Sequence, residues 1–135
     1  MQYKYSFNIQ AIMGAGFAST VYLGERIDTH EMVCVKAIDL ITISYSSQDK
    51  QLIHKEIEYL SWFDSDFIVK LYDVYESNTF YYLVMELCPG GDLYKMLKMS
   101  PLSLPTDFVT SIIKQATSGL MEIQKRGLIH RDLKT

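Results

Sequence analysis

The sequence closes on LIHRDLKT, in which an apolar pair runs into four residues with charged or titratable side chains: His130, Arg131, Asp132 and Lys134. Such a concentration of acidic, basic and imidazole groups looks like part of an active site. Chain termini usually fray, so a cluster of this kind is seldom left at a free end. The sequence therefore stops within a candidate active site.

A second candidate site is the stretch GAGFAST, where Gly14 and Gly16 stand between two strand-like segments. Glycine has no side chain, so backbone N–H groups at these positions can approach an anionic ligand closely. A glycine turn that merely joins two strands looks the same, and the sequence leaves both interpretations open. A dinucleotide-binding loop is excluded, because that motif opens a helix and the following TVYLGERI is strand-like.

Lys36 and Glu56 form a third candidate site, predicted from the faces on which they lie. Lys36 shares a strand face with Cys34, so its ammonium group starts from a partly apolar surface. Glu56 stands four residues from both Leu52 and Leu60, within the apolar stripe of a helix, where an unpaired carboxylate would be costly. We predict a buried Glu56 paired with Lys36. The alternative is a lysine that extends its ammonium group into water from a strand edge.

The periodicity of apolar residues predicts the elements that position these groups. Strands are predicted over residues 5–13, 18–27, 32–39, 68–76 and 80–87, and helices over 46–63, 91–98 and 106–127. The last helix ends at Gly127 with Lys125 and Arg126 in its final turn, as helix C-termini prefer. A β part that contains one helix thus precedes a helical part, and the fold class is α+β.

Composition narrows the class of protein. The chain has 135 residues, of which 48% are hydrophobic and 21% charged, as in globular domains. A net charge of -3 argues against a nucleic-acid partner. The uncharged stretch from Tyr5 to Gly24 is too polar and glycine-rich for a membrane span, and no signal peptide is visible. Cys34 and Cys88 suit buried thiols in a reducing compartment, so we expect an intracellular protein, cytoplasmic or nuclear, without a membrane partner.

Other conspicuous side chains have ordinary structural explanations. His30 and His54 are expected at the surface, because histidines of this kind seldom have a ligand. The tyrosines near the fourth and fifth strands are expected to pack across a hairpin, and they are Tyr72, Tyr75, Tyr81 and Tyr82.

Taken in order, these motifs resemble the signature set of the protein kinase family. They are the GAG loop followed by Val21, the VCVK strand, a helical Glu56, the VMELCPGGDL segment and IHRDLK. The resemblance runs from about Tyr5 to Thr135 and implies the first half of a kinase domain, truncated inside the catalytic loop. It implies an N-lobe over 1–86 with a five-stranded antiparallel sheet and one helix, a hinge over 87–91, and the first helices of an incomplete C-lobe over 92–135.

The resemblance also implies the chemistry, which is transfer of the γ-phosphoryl group of ATP to a protein hydroxyl. Asp132 would accept the proton of that hydroxyl, and Lys134 would neutralise charge on the transferring group. Lys134 directly after Asp132 and Leu133 resembles the serine/threonine pattern rather than the tyrosine pattern. The ATP-binding residues that the resemblance implies are Gly14, Gly16, Val21, Cys34, Lys36, Glu56, Met85, Glu86, Cys88 and Asp92.

Each of these binding residues has an implied role. The two glycines would cover the phosphates, and Lys36, oriented by Glu56, would hold the α- and β-phosphates. Val21 and Cys34 would press on the adenine ring, with Met85 as gatekeeper behind it. Backbone groups of Glu86 and Cys88 would meet the adenine edge, and Asp92 would lie near the ribose.

The chain departs from the family pattern in two places. Ser19 replaces the third glycine of the loop, and Phe17 comes one position before the usual aromatic residue, so altered loop geometry is expected. The family's metal-binding Asn and Asp-Phe-Gly motif would follow Thr135. Mg²⁺ is therefore expected for the family, but no metal ligand is predicted in this chain.

Two hypotheses for function follow. The first is a serine/threonine protein kinase seen in part, with little turnover from these residues alone. The second is an inactive kinase-like module that binds nucleotide or regulates a partner. The wide apolar stripe of the helix over 106–127 predicts an exposed patch and a tendency to associate. The protein substrate is not predicted.

Overall fold

A computed structural model describes residues 4–43, 47–99 and 104–133. The strands are β1 (Tyr5–Ala15), β2 (Ser19–Arg26), β3 (Met32–Asp39), β4 (Leu71–Glu76) and β5 (Phe80–Glu86). The helices are α1 (Leu40–Ile43), α2 (Ser47–Ser61), α3 (Leu93–Met99) and α4 (Thr106–Lys125).

The five strands form one antiparallel sheet in the order β1-β2-β3-β5-β4. This confirms the predicted α+β fold with a five-stranded antiparallel sheet. β3 lies at the centre because its alternating side chains are apolar toward both faces, so that both faces need cover. On one face, Val33 and Val35 are almost completely buried together with Val84 of β5.

Aromatic rings cover this face of the sheet. Tyr5, Tyr22 and Tyr82 pack against the three valines, and the ring of Phe7 lies 5.3 Å from that of Tyr22 and 5.8 Å from that of Tyr82. Tyr75 and Tyr82 are direct cross-strand partners, which confirms sheet packing for part of the tyrosine group. Tilted ring pairs at such distances add to the stabilisation from apolar burial.

Helix α2 covers the opposite face. Ile53 is buried in a cluster with Ile38, Leu40, Tyr81 and Leu83, and the next turn adds Ile57. The predicted stripe was wider, because it included Leu52, whose surface is 63% exposed. The contact stripe of α2 therefore runs through Ile53 and Ile57, and the side of the helix that carries Leu52 faces outward.

The short helix α1 was not predicted, although the sequence carries its signal. The Asp39 carboxylate accepts hydrogen bonds from the backbone N–H groups of Ile41 and Thr42 and from the Thr42 hydroxyl, at 2.8, 3.3 and 2.7 Å. These are the contacts of an aspartate that caps a helix N-terminus. The bonds from Thr42 and Ile41 also lower the pKa of Asp39, because they stabilise the carboxylate.

The chain divides into two compact units. The first contains the sheet with α1 and α2, and the second contains residues 65–68 with α3 and α4. In the second unit α4 passes close to Phe67 at Gly119, where a Cβ atom would lie 2.9 Å from the Phe67 carbonyl oxygen. The division into lobes with a hinge at 87–91 stays a prediction.

Helix α4 ends as predicted. Gly127 has a φ of 73°, Leu128 donates its N–H to the carbonyl of Ile123, and Gly127 donates to Gln124. These paired bonds form a Schellman motif, which glycine permits because it adopts positive φ without strain. Apolar side chains along α4 remain exposed, as the wide stripe predicted, and they include Phe108, Val109, Ile113 and Met121.

Gly24→Ala is expected to lower the free energy of unfolding by about 1–3 kcal/mol, the usual cost of overpacking. A Cβ atom at Gly24 would lie 2.9 Å from Val35 Cγ2 and 3.0 Å from the Ser6 carbonyl oxygen, in the middle of the sheet. Urea denaturation measures the change. Gly90→Ala is the matched control, since nothing lies within 4 Å of its Cβ position. Equal stability of the two variants would contradict this packing.

Candidate active site

Residues of four neighbouring strands form a row across the face that α2 covers. Gly14 of β1 pairs with Val21, Val21 pairs with Lys36, and Lys36 pairs with Leu83 of β5. Directly opposed residues of antiparallel strands project to the same face. The register therefore brings a glycine of the loop, the Val21 side chain and the Lys36 ammonium group side by side.

A second row lies one pleat away. Leu23 pairs with Cys34, and Cys34 pairs with Met85. Met85 packs against the apolar cluster beneath α2, and Cys34 is half-buried. The predicted adenine contacts Val21 and Cys34 and the predicted gatekeeper Met85 thus share one face of the sheet with Lys36, and this placement is compatible with their implied roles.

The predicted pair of Lys36 and Glu56 forms, with Nζ and Oε1 separated by 3.8 Å. The predicted burial of Glu56 is wrong, because its side chain is 67% exposed, against 30% for Lys36. The reason is the narrow contact stripe of α2, which leaves Glu56 one turn from Leu52 on the outer side. An ion pair this exposed stabilises a fold by about 1 kcal/mol at most.

The glycine loop is a short turn between two paired strands. Pairing continues to Ala15 and Thr20, and the Gly16 N–H donates to the Ser19 carbonyl at 2.7 Å. Phe17 stands at the tip and is 94% exposed. A Cβ atom at Gly16 would lie 3.2 Å from Ser19 Oγ, whereas one at Gly14 would meet nothing within 4 Å. A side chain at position 16 would therefore be crowded by Ser19, and the N–H of Gly16 is already engaged within the turn.

Glu86 ends β5 and ties it to the residues before β4. Its N–H donates to the Lys70 carbonyl at 2.9 Å, and its carboxylate accepts from the Lys70 N–H at 3.3 Å. A contact with an adenine edge would therefore use the carbonyl group of Glu86.

In the second unit, two predicted binding residues have local structural partners. The Cys88 carbonyl accepts from the Gly91 N–H at 3.3 Å, in a turn where Gly91 has a φ of 73°. The predicted burial of the Cys88 thiol is wrong, because Cys88 lies in this exposed turn. Asp92 accepts from the Lys95 N–H at 2.7 Å and so caps α3. Capping alone accounts for an aspartate here, and the ribose contact of Asp92 stays a prediction.

The described part of the catalytic-loop motif lies after α4 in the second unit. His130 accepts the Asp132 N–H at its Nδ1, 3.2 Å away, and Arg131 between them has a φ of 64°. A non-glycine residue with positive φ is uncommon and marks a constrained loop. The other predicted catalytic residue, Lys134, lies outside the described residues.

Within 4–43, 47–99 and 104–133, no group of three or more His, Cys, Asp or Glu side chains is placed to hold a metal ion. We therefore assign no step to a metal in this chain. In the same ranges, no helix has the length and apolar character to cross a membrane.

Residues 7–135 match the family model described as the protein kinase domain. The chain belongs to the protein kinase family. The chain is 33% identical to the serine/threonine-protein kinase ULK1 of Homo sapiens over 97% of this chain and 12% of that protein. It is 35% identical to the serine/threonine-protein kinase unc-51 of Caenorhabditis elegans over 96% of this chain and 15% of that protein.

A solved kinase structure has the same fold. The crystal structure of Rad53 in complex with AMP-PNP matches with a TM-score of 0.82 and 28% identity, over 97% of this chain and 33% of that chain. These relatives are considerably longer than the chain, which spans 12–33% of their lengths. The kinase resemblance predicted from the sequence motifs is therefore confirmed at the level of family and fold.

The sequence patterns did not predict the contacts that His54 makes with the sheet. His54 was expected to be an ordinary surface residue, and its side chain does reach the surface. However, its Nε2 lies 2.7 Å from the hydroxyl of Tyr81, which in turn donates to Glu76 at 3.0 Å. Periodicity alone could place Tyr81 on the face beneath α2, but it could not show that His54 reaches it.

Proposed function

We propose that the protein transfers the γ-phosphoryl group of ATP to serine or threonine hydroxyls of a protein substrate. The observation that carries this proposal is the row of Gly14, Val21 and Lys36, in which a half-buried ammonium group is oriented by Glu56 3.8 Å away. Val21 and Cys34 offer an apolar surface for an adenine ring beside this cation. Lys36 offers a charge-assisted hydrogen bond to phosphate oxygens.

Asp132 and Lys134 have the roles that the family mechanism assigns to their motif. Asp132 accepts the proton of the substrate hydroxyl as the oxygen attacks phosphorus, and Lys134 neutralises charge on the transferring phosphoryl group. The serine/threonine class is supported by Lys134 after Asp132 and by the class of the named relatives. Those relatives favour an enzyme over an inactive module.

We infer an intracellular protein, because no disulfide bond joins Cys34 to Cys88. The exposed apolar residues of α4, such as Ile113 and Met121, are a candidate surface for association.

The first test compares ATP with adenosine. The protein is expected to bind ATP about 10- to 100-fold more tightly, since a hydrogen bond to a charged group contributes about 1.5–3 kcal/mol. Adenosine contains the adenine and ribose but lacks the phosphates, so the ratio isolates the contribution of Lys36 and the glycine loop. Titration calorimetry of both ligands gives the ratio. Equal affinities would contradict phosphate recognition at this site.

A further inference from the structure

A chain of three side chains joins α2 to two strands of the sheet. His54 of α2 places Nε2 2.7 Å from the Tyr81 hydroxyl of β5, and that hydroxyl donates to Glu76 Oε1 of β4 at 3.0 Å. The ring of His54 also meets the ring of Tyr81 edge-on, with centroids 5.1 Å apart. The chain thus spans three elements beside the predicted nucleotide-binding face.

The direction of the hydrogen bonds follows from the single hydroxyl proton. Tyr81 is only 3% exposed, and this burial, followed by the effect of Glu76, raises its pKa, so the phenol keeps its proton. With that proton donated to Glu76, His54 must carry hydrogen on Nε2 and donate it to the phenol oxygen. Loss of one hydrogen bond from these partly buried side chains would leave a polar group without a partner, which costs free energy.

The position of His54 on α2 determines which movement of the helix its hydrogen bond to Tyr81 restricts. Successive residues of an α-helix are rotated by about 100°, so His54 and Glu56 lie about 80° to either side of the midline of Ile53 and Ile57. Those two isoleucines are the contact stripe of α2. His54 and Glu56 therefore hold the sheet from opposite flanks of the line about which the helix can roll.

The partners of these two residues are neighbours on the sheet. Tyr81 is paired with Ile38 and Leu83 with Lys36, so the two attachment points lie one pleat apart along β3 and β5. The contact from His54 is the shorter, at 2.7 Å against 3.8 Å for the pair of Lys36 and Glu56. The short contact between His54 and Tyr81 restricts rotation of α2 about its axis. It therefore also restricts the position of Glu56 on the other flank of the helix.

We propose that His54 is a positioning residue for the phosphate-binding lysine. By bonding Tyr81, it fixes the roll of α2 and keeps the Glu56 carboxylate beside the Lys36 ammonium group. This inference rests on the proposed function, because it assumes that Lys36 binds the phosphates of ATP. It adds a residue outside the motifs that identify the family, and it assigns His54 no contact with the nucleotide.

The test replaces His54 and measures the ratio of ATP to adenosine affinity. His54→Leu removes the donor, and we expect ATP affinity to fall about 2- to 10-fold, the equivalent of one net hydrogen bond. Adenosine affinity is expected to stay within about twofold, because Val21 and Cys34 are held in place by the pairing of β2 with β3 and not by the His54 side chain. His54→Gln places an amide N–H near the former Nε2 and should restore most of the ratio. A ratio that is unchanged in His54→Leu would overturn the proposal.

Tyr81→Phe and Tyr5→Phe form a matched pair. Each removes one hydroxyl from the sheet, since Tyr5 donates to Asp73 at 2.6 Å within the ring cluster on the other face. Tyr81→Phe is expected to lower the ratio as His54→Leu does, and Tyr5→Phe to leave it unchanged. Equal effects of the two variants would mean a general loss of stability and would overturn the positioning role.

Amide hydrogen exchange of α2 separates this inference from the proposed function. Faster exchange along α2 in Tyr81→Phe, but not in Tyr5→Phe, supports the tether whether or not ATP binds. If that difference appears while the wild-type protein binds ATP and adenosine equally, the proposed phosphate site fails and the role of His54 fails with it, leaving only a structural tether. If exchange is identical in both variants, the inference fails while the proposed function stands.

Discussion

Lys36→Met is expected to lower the rate of phosphoryl transfer about 100- to 1000-fold, the usual effect of removing one donor that stabilises developing negative charge. Methionine keeps the length and apolar stem of lysine but has no ammonium group for the phosphates, and Glu56 loses the cation that lies 3.8 Å away. Transfer from labelled ATP to a serine/threonine peptide mixture measures the rate in the whole protein. ATP affinity should fall toward that of adenosine.

Lys70→Met is the control for this experiment. Lys70 belongs to the same unit, is similarly half-exposed, and forms an ion pair with Asp64 at 3.1 Å. It lies just before β4, away from the row that contains Gly14 and Val21. Loss of this exposed charge should change the rate by less than about twofold, as surface pairs contribute little. Equal losses in both variants would show that net charge, and not the position of Lys36, sets the rate.

The strands were predictable because their signals are local. β3 alternates over Met32–Asp39 in both sequence and structure, and β5 over Phe80–Glu86 was predicted to within one residue at its end. The register between the strands could not be predicted from these local signals. That Val21, Lys36 and Leu83 stand in one row depends on the pairing of strands distant in sequence, and a shift by one residue would turn each side chain to the other face.

Helix α2 shows the limit of periodicity most clearly. Spacing identified a helix and placed Ile53 and Ile57 on its apolar side, but spacing cannot define how wide the contact is. The sheet accommodates the two isoleucines, so that Leu52 and Glu56 stay outside. The pairing of Glu56 was nevertheless right, because a carboxylate at the margin of a stripe can still reach a lysine on the strand below.

Some residues have both a local structural role and a predicted functional role. Asp92 caps α3, and Gly16 is required by the tight turn with Ser19. The type of residue at such positions is explained by the backbone alone, so the sequence cannot separate the two roles. Functional residues without a local structural task, such as Lys36, are therefore the more informative positions for mutation.

Asp132→Asn is expected to lower the rate of phosphoryl transfer about 100- to 10000-fold, the range for loss of a general base. Asparagine has nearly the same shape and leaves the backbone N–H free to bond His130, as Asp132 does at 3.2 Å. It has no carboxylate to accept the hydroxyl proton. Because the first unit is untouched, ATP affinity should remain within about twofold of the wild-type value. Single-turnover transfer and calorimetry measure the two quantities.

Asp107→Asn provides the matched control for this change, because Asp107 is an aspartate of the same unit, in the first turn of α4. There a negative charge stabilises the helix by about 0.3–1 kcal/mol, so the variant loses some stability but should retain its transfer rate. If Asp132→Asn lowered ATP affinity and rate in equal measure, Asp132 would act in binding and not as the base. If the rate did not change, the proton would have to pass to another group, and the role proposed for the loop after α4 would be wrong.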